Sequence, residues 1–326
     1  MGENREILIT DMAKIIALCT SKHKGTEKQP ISEAIFIENY GIQGDSHAGQ
    51  WHRQVSLLNK EAIDDFNAKG GKVTYGAFGE NIVVEGLDLA SLKVGDILTS
   101  NDLVLEITQK GKECHDHCAI YYRVGECIMP RLGVFAVVTH GGVVHPNDEI
   151  KQIERSEPLP FQAAVITLSD SCSRKEKEDV SGPTLVTLLK ENGYQVIETI
   201  LLPDEKALLK KELIRLCDQR QVDLILTTGG TGFTARDITP EATLEVMEKN
   251  APGIAEAIRA ESLKITSHAM LSRAVAVIRG KSLIINFPGS PKACEEAFRV
   301  IKEALPHGIG LLRGSIRDCA RINKKH

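Results

Sequence analysis

Hydrophobic positions along this chain fall into two textures. From Val55 to Thr139 the apolar residues come in short runs: Val55-Ser56-Leu57-Leu58, Asn81-Ile82-Val83-Val84-Glu85, Asp102 to Thr108 and Gly133 to Thr139. Gly-rich turns part them, and runs of this kind predict strands. Helical spacing appears once, over Lys60-Glu61-Ala62-Ile63-Asp64-Asp65-Phe66-Asn67, closed by Gly70-Gly71. The pattern predicts a mostly β, barrel-like unit.

Beyond Pro160 strands and helices alternate. Ala163 to Ser169, Gln195 to Leu202 and Val222 to Thr227 read as strands. Gly182 to Gly193 reads as a helix stopped by its last glycine, and Lys206 to Gln219 as an amphipathic helix. Helix follows Pro240. Ala274 to Ile278 and Ser282 to Asn286 form a hairpin around Arg279-Gly280-Lys281, and Pro291 to Leu305 is a last helix. This predicts a three-layer α/β domain with a largely parallel sheet covered on both faces. The polar stretch from Asp148 to Pro160 reads as a linker. The expected domains are therefore 1–157 and 158–326.

In such sheets ligands bind beyond the carboxyl ends of the strands, and polar residues collect at those ends here. The richest is Thr227 to Thr243, in which Gly229-Gly230-Thr231-Gly232 follows a strand and Pro240-Glu241-Ala242-Thr243 opens a helix, with Thr239 as its expected N-cap. Glycines leave backbone N–H groups open to an anion. Asp237 stands where a metal ion on a bound phosphate would be held. No Gly-Lys-Ser/Thr follows, so this is not a P-loop. Ser169-Asp170, Leu202-Pro203-Asp204-Glu205 and Pro288-Gly289-Ser290-Pro291-Lys292 end the other strands. Each has a plainer reading: Asp170, Asp204 and Asp237 as turn or cap residues, Arg236 and Arg273 as solvated surface charges rather than phosphate contacts.

Composition narrows the class. A chain of 326 residues is too long for one ordinary core. Hydrophobic content of 42% with 26% charged residues is that of a soluble globular protein. No run approaches the ~20 apolar residues that span a bilayer, and Met1-Gly2-Glu3-Asn4-Arg5-Glu6 lacks the start of a secretory signal. A cytoplasmic protein without a membrane partner is expected. Net charge of −4 argues against general nucleic-acid binding. Arg313, Arg317, Arg321, Lys324 and Lys325 read as a solvated tail. Of the cysteines, those at 114, 118 and 127 are clustered, and all are expected to be reduced thiols.

Ser169-Asp170, Leu202 to Glu205, Thr227 to Thr243, Leu271-Ser272-Arg273 and Pro288 to Lys292 together resemble the molybdopterin-binding family of the MogA/MoaB type, over residues 162 to 314. The resemblance implies Mg²⁺-dependent transfer of AMP from ATP to molybdopterin, giving adenylyl-molybdopterin and pyrophosphate, and a homotrimer. It implies Asp204 and Asp237 as catalytic, metal-holding residues. Gly229, Gly230, Thr231 and Gly232 would meet phosphate, Ser169 and Asp170 would orient ligand, and Ser290 and Lys292 would serve phosphate or pterin. The alternatives are a molybdopterin-binding protein without adenylyl transfer and a nucleotide hydrolase of the CinA type.

Gly44 to Gly49, Arg53 to Leu58, Gly76 to Asn81, Leu92 to Asp96, Cys114 and Met129 to Ala136 resemble the MOSC domain, named for the carboxyl-terminal part of molybdenum cofactor sulfurases. It implies a β-rich unit that handles molybdenum cofactor or sulfur, with other enzymes of the pathway as possible partners. Three readings of Cys114-His115-Asp116-His117-Cys118 stay open. Cys114 is a reactive thiol activated by Lys110 and Lys112 and carries persulfide or ligates molybdenum. Cys114, Cys118 and a histidine hold zinc. Or the segment is a polar turn. His47, His52 and Arg53 either line an anion pocket or have separate structural roles.

Overall fold

The alternation in Leu103–Lys110 is realised as a strand whose residues are by turns buried and half-buried. The computed structural model describes residues 13–111, 121–122, 125–153 and 159–314. It divides the chain into two compact units, Met1–Pro158 and Leu159–His326. Strands β1 (Lys14–Thr20), β2 (Gln29–Ile31), β3 (Ala34–Ile37), β4 (Gly41–Ile42), β5 (Val55–Asn59), β6 (Ile82–Glu85), β7 (Ile97–Ser100), β8 (Leu103–Lys110), β9 (Val134–His140), β10 (Gly142–Val144) and β11 (Lys151–Ile153) build the first unit. Helices α1 (Lys60–Ala68) and α2 (Met129–Leu132) accompany them.

Eight strands run in the order β11-β7-β8-β9-β5-β6-β1-β2, and a second sheet has the order β10-β3-β4. Among the described residues the large sheet is mixed and no closed barrel is shown: β11 and β2 end its strand order, while backbone bonds join Ala13 and Ile15 to the segment just before β11. The pairing of β5 with β6 is parallel while the others are antiparallel. Strand β1 escaped the reading of the sequence. Ile15, Ala17, Leu18 and Cys19 are all buried, and an apolar run without alternation does not distinguish strand from helix.

The second unit contains β12 (Gln162–Leu168), α3 (Asp170–Ser173), α4 (Ser181–Glu191), β13 (Gln195–Leu202), α5 (Lys206–Ile214) and β14 (Leu224–Thr228). It continues with α6 (Thr239–Glu245), β15 (Lys249–Asn250), α7 (Pro252–Leu263), β16 (Ala276–Arg279), β17 (Ser282–Phe287), α8 (Pro291–Ile301) and α9 (Leu305–Arg313). The sheet order is β13-β12-β14-β17-β16-β15. Its first four strands are parallel, and β16 and β15 add antiparallel at the far edge. Every residue of β12 is buried, as a strand covered on both faces requires. On one face Leu185, Leu189, Ile258, Phe298 and Ile309 of α4, α7, α8 and α9 pack against Val165 and Leu226. On the other, Leu209, Leu213 and Ala242 of α5 and α6 pack against Ile166 and Ile225. Each such side chain contributes about 1.5–3 kcal/mol.

Three boundaries differ from expectation. The Lys206 helix turns into a π-helical segment at Arg215–Gln219. The last predicted helix is two, divided after Ile301. Arg313 is no solvated tail residue: it pairs with Asp223, donates to the Leu159 and Pro160 carbonyls at 2.8 and 2.9 Å, and stacks on Phe161 at 4.8 Å.

Candidate active site

From β12 the chain passes out to β13 and returns to β14 on the other side of β12. The loops after β12 and β14 therefore diverge, and such a switch point is where open α/β sheets hold ligands. Ser169 caps α3, accepting from the Cys172 amide at 3.2 Å. Asp170 begins that helix. The β14 loop follows with Gly229 at φ +95° and Gly230 at φ +61°. A Cβ on Gly229 would also collide with the Leu168 carbonyl oxygen, so glycine is required there twice over.

Carbonyl groups of this loop are taken by two residues. Thr239 Oγ1 donates to the Gly229 carbonyl at 2.9 Å, and Thr239 N–H to the Gly230 carbonyl at 3.0 Å. Arg273 N–H donates to the Thr231 carbonyl at 3.0 Å, and its Nε to the Gly232 carbonyl at 2.6 Å. In a trans peptide the N–H points opposite to the C=O. The amides of Gly230 and Thr231 are thus turned away from Thr239 and those of Gly232 and Phe233 away from Arg273, and none of them donates to another group among the described residues. Thr239 was expected as an N-cap. The helix instead begins at Thr239, and its hydroxyl braces the glycine loop.

Two carboxylates adjoin the loop. A Cβ on Gly230 would stand 3.1 Å from Asp204 Oδ1, and one on Gly232 would stand 3.1 Å from Asp237 Oδ2. Asp237 Oδ2 accepts from the Thr234 amide at 2.7 Å, which fixes its turn. Asp204 is tied to Asp170, whose amide donates to Asp204 Oδ2. Arg236 forks onto both oxygens of Asp170 at 2.9 Å and reaches Glu205 at 3.1 Å. That guanidinium holds the Asp170 carboxyl below its usual range. Burial pushes Asp204 up, and the charges of Asp170 and Asp237 add to the push while Arg236 opposes it. Glu205 joins the acids at this rim as a partner of Arg236, a role its place in Leu202 to Glu205 did not announce.

Beside Gly229 lies a pocket of about 290 Å³, lined among others by Ser169, Lys177, Asp179, Ser181, Gly229 and Ser290. A larger hollow of about 550 Å³, along α1 and α2, belongs to the other unit. On the wall of the smaller pocket Thr167 Oγ1 is buried and has no hydrogen-bond partner among the described residues. Ser181 Oγ donates to the Gly289 carbonyl at 2.8 Å, and Asp179 Oδ1 accepts from the Gly182 amide at 3.0 Å. Asp179 and Ser181 were missed in the sequence, although Asp179 stands three residues before Gly182-Pro183, a usual place for a turn acid. Ser290 caps α8, accepting from Ala293 N–H at 3.3 Å. Lys292 is exposed on the first turn of that helix, 3.8 Å from Glu296, and is not among the pocket's lining residues.

Among the described residues no group of three or more His, Cys, Asp or Glu is arranged to hold a metal. A Mg²⁺ ion carried by a polyphosphate takes one or two carboxylates and keeps oxygen ligands otherwise; Asp204 and Asp237, beside Gly230 and Gly232, are the acids that could hold one.

In the first unit, His52 Nε2 lies 2.9 Å from Gln109 Oε1, His47 Nδ1 lies 3.3 Å from Ser46 Oγ, and Arg53 stacks on Trp51 at 4.9 Å. Trp51 is shared by all three, since its Nε1 donates to the His47 carbonyl at 2.7 Å and its ring meets the His52 ring edge-on at 6.1 Å. Lys110 donates to the Ala90 carbonyl. Cys114, His115, His117, Cys118 and Lys112 lie outside the described residues.

An α/β unit with a glycine amide cradle and paired acids at its switch point is the frame of a phosphate-handling enzyme. Comparison with known proteins makes the class definite. The family model described as a probable molybdopterin binding domain matches residues 164–307, and that of the MOSC domain matches residues 44–151. The chain is 42% identical over 164 residues to a molybdopterin adenylyltransferase of Helicobacter pylori, covering 50% of this chain and 92% of that protein. It is 43% identical over 164 residues to the molybdenum cofactor synthesis protein cinnamon of Drosophila melanogaster, of whose length it spans 27%. Among solved structures, the molybdopterin biosynthesis enzyme MoaB of Thermus thermophilus shares 41% identity, with 47% of this chain and 97% of that one covered at a TM-score of 0.46. The chain belongs to the molybdopterin adenylyltransferase family, a family of nucleotidyltransferases, and carries a MOSC domain ahead of that unit. No described helix is long and apolar enough to cross a membrane.

Proposed function

We propose that the carboxyl-terminal unit transfers AMP from ATP to molybdopterin in molybdenum cofactor biosynthesis. The observation that carries this reading is the set of four outward amides, Gly230 to Phe233, with the carboxylates of Asp204 and Asp237 beside them. A terminal phosphate oxygen of the pterin attacks the α-phosphorus of ATP, the bond to the β-phosphate bridging oxygen breaks, and pyrophosphate leaves. The attacking oxygen is already anionic at neutral pH, so no general base is required. What remains for the protein is alignment and charge balance. The amides take polyphosphate oxygens, and Asp204 and Asp237 would hold Mg²⁺. That ion, when bound, neutralises phosphate charge. Ser169, Asp179, Ser181 and Ser290 line the place for the pterin, where Thr167 Oγ1 awaits a partner. Asp170 orients the site through Arg236 and Asp204, and Lys292 supplies a mobile positive charge at the rim.

In the same reading the protein works in the cytoplasm as a homotrimer, with domain limits near 157 and 158, alongside other enzymes of the pathway. The MOSC domain handles cofactor or sulfur, with Cys114 as its thiol. Purified protein given ATP, Mg²⁺ and molybdopterin is expected to release pyrophosphate. Intact protein and substrates that yield none would overturn the adenylyl-transfer reading.

A further inference from the structure

We infer that Arg273 is the positioning residue of this cradle, acting on the backbone and not on phosphate. The inference rests on the polyphosphate reading of the loop. Arg273 follows a 3₁₀ turn, Ser267–Leu271, and precedes β16. Its own amide takes the Thr231 carbonyl, its Nε takes the Gly232 carbonyl at 2.6 Å, and its Nη2 takes the Asp237 carbonyl at 2.7 Å. The remaining nitrogen, Nη1, pairs with Glu241 on α6. One residue thus grips both ends of the turn that carries the Asp237 carboxylate. Arg259 of α7 in turn donates to the Ser272 and Ala274 carbonyls at 3.3 and 2.7 Å, anchoring the backbone on either side of Arg273.

The consequence follows from peptide geometry. With the Thr231 and Gly232 carbonyls held, the Gly232 and Phe233 amides are aimed away from Arg273 toward the open side. Release of the guanidinium frees those peptide planes to rotate and lets Asp237 drift. The requirement is for a planar fork that serves several acceptors at once, which an ammonium group does not reproduce. Nε, Nη1 and Nη2 each already donate to a protein acceptor, which sets Arg273 apart from a guanidinium that forks onto phosphate.

The test uses the full chain as wild type, Arg273→Gln, Arg273→Lys and Glu241→Ala. Binding of Mg²⁺-pyrophosphate is measured by calorimetry, adenylyl-transfer kinetics by pyrophosphate release, and folding by the thermal midpoint. Arg273→Gln and Arg273→Lys are both expected to bind pyrophosphate at least about tenfold more weakly. Both should lose kcat by roughly tenfold to a hundredfold, more than KM for ATP rises, and need higher Mg²⁺ for half-maximal rate. Glu241→Ala leaves the carbonyl bonds in place and is expected to lose no more than about threefold. If Arg273→Lys matches wild type, charge alone suffices and the inference is wrong. It is equally wrong if Arg273→Gln binds pyrophosphate normally, or if Glu241→Ala is as damaged as Arg273→Gln. Wild type that binds pyrophosphate but does not transfer AMP would defeat the adenylyl reading and leave this one standing.

Discussion

Asp170 and Asp204 hold one another across two strand ends: the Asp170 amide donates to the Asp204 carboxylate at 2.9 Å, and the Asp204 amide donates back to the Asp170 carboxylate at 3.1 Å. The reciprocal bonds fasten the loop after β12 to the loop after β13. They also place two like charges side by side, with Arg236 on Asp170 as the balancing cation. The site is therefore sensitive to acid in a definite direction.

Asp204 titrates above its ordinary value because burial, helped by the charges of Asp170 and Asp237, outweighs the Asp170 amide and Arg236, which favour its anion. Its anionic form is lost as pH falls through that raised value, so kcat/KM is expected to decline on the acid side earlier than a free carboxylate would dictate. Arg236→Ala removes the opposing positive charge and should move the acid limb to higher pH. A pH–rate series at limiting Mg²⁺, where the ion does not mask the carboxylate, reads this, and a limb displaced to lower pH in the variant contradicts the assignment.

Asp204→Asn and Asp237→Asn are each expected to lower kcat by about a hundredfold or more, since each removes charge that a phosphate-bound cation needs. Neither should unfold the unit. Rates restored by high Mg²⁺ to the wild-type value would point to ion recruitment alone; rates unaffected from the start would remove both residues from the mechanism.

Gly229→Ala combines a backbone angle of +95° with a collision on the Leu168 carbonyl oxygen. A cost of at least about 3 kcal/mol is expected. Gly193, at φ +83° with open space around it, is the control at about 1–2 kcal/mol. Hydrogen exchange across β12 and β14 in both variants tests the difference.

Glu80 is buried in the first unit, where it accepts from the Gly76 and Phe78 amides at 2.6 and 3.0 Å. Burial pushes its carboxyl up to about 7 from 4.5. The folded state thus binds this proton more readily than the unfolded one. The group's contribution to stability grows as pH falls from about 7 and is complete below 4.5. Trp51 is the single tryptophan of the chain and lies in this unit, so its fluorescence reports the unfolding. Wild type is expected to gain on Glu80→Gln between pH 7.5 and pH 5; a difference independent of pH would refute the linkage.

Much of the second unit was legible because its signals are local. β13, β14 and the β16–β17 hairpin lie where apolar runs end in glycine or proline, β12 begins just after Pro160, and such punctuation acts within a few residues. The acids at the strand ends could be named as candidates for the same reason. The first unit was read less well. Its strands are short, and whether eight of them close or remain open depends on pairings between distant residues. Arg313 shows the same limit: it sits near the end of the sequence with the composition of a tail, yet its partners Asp223, Leu159 and Pro160 are distant in the chain.

By itself the amino-acid order determined the alternation of elements, the glycines that a strained turn needs and the chemical kinds of group at the rim. Tertiary structure decided which carbonyls Thr239 and Arg273 consume, and hence which amides face outward. It also decided that Asp170, Asp204 and Arg236 share charge. The division has a physical cause: propensity and turn chemistry are set by neighbours in sequence, whereas the direction of a peptide plane and the titration of a carboxylate are set by neighbours in space.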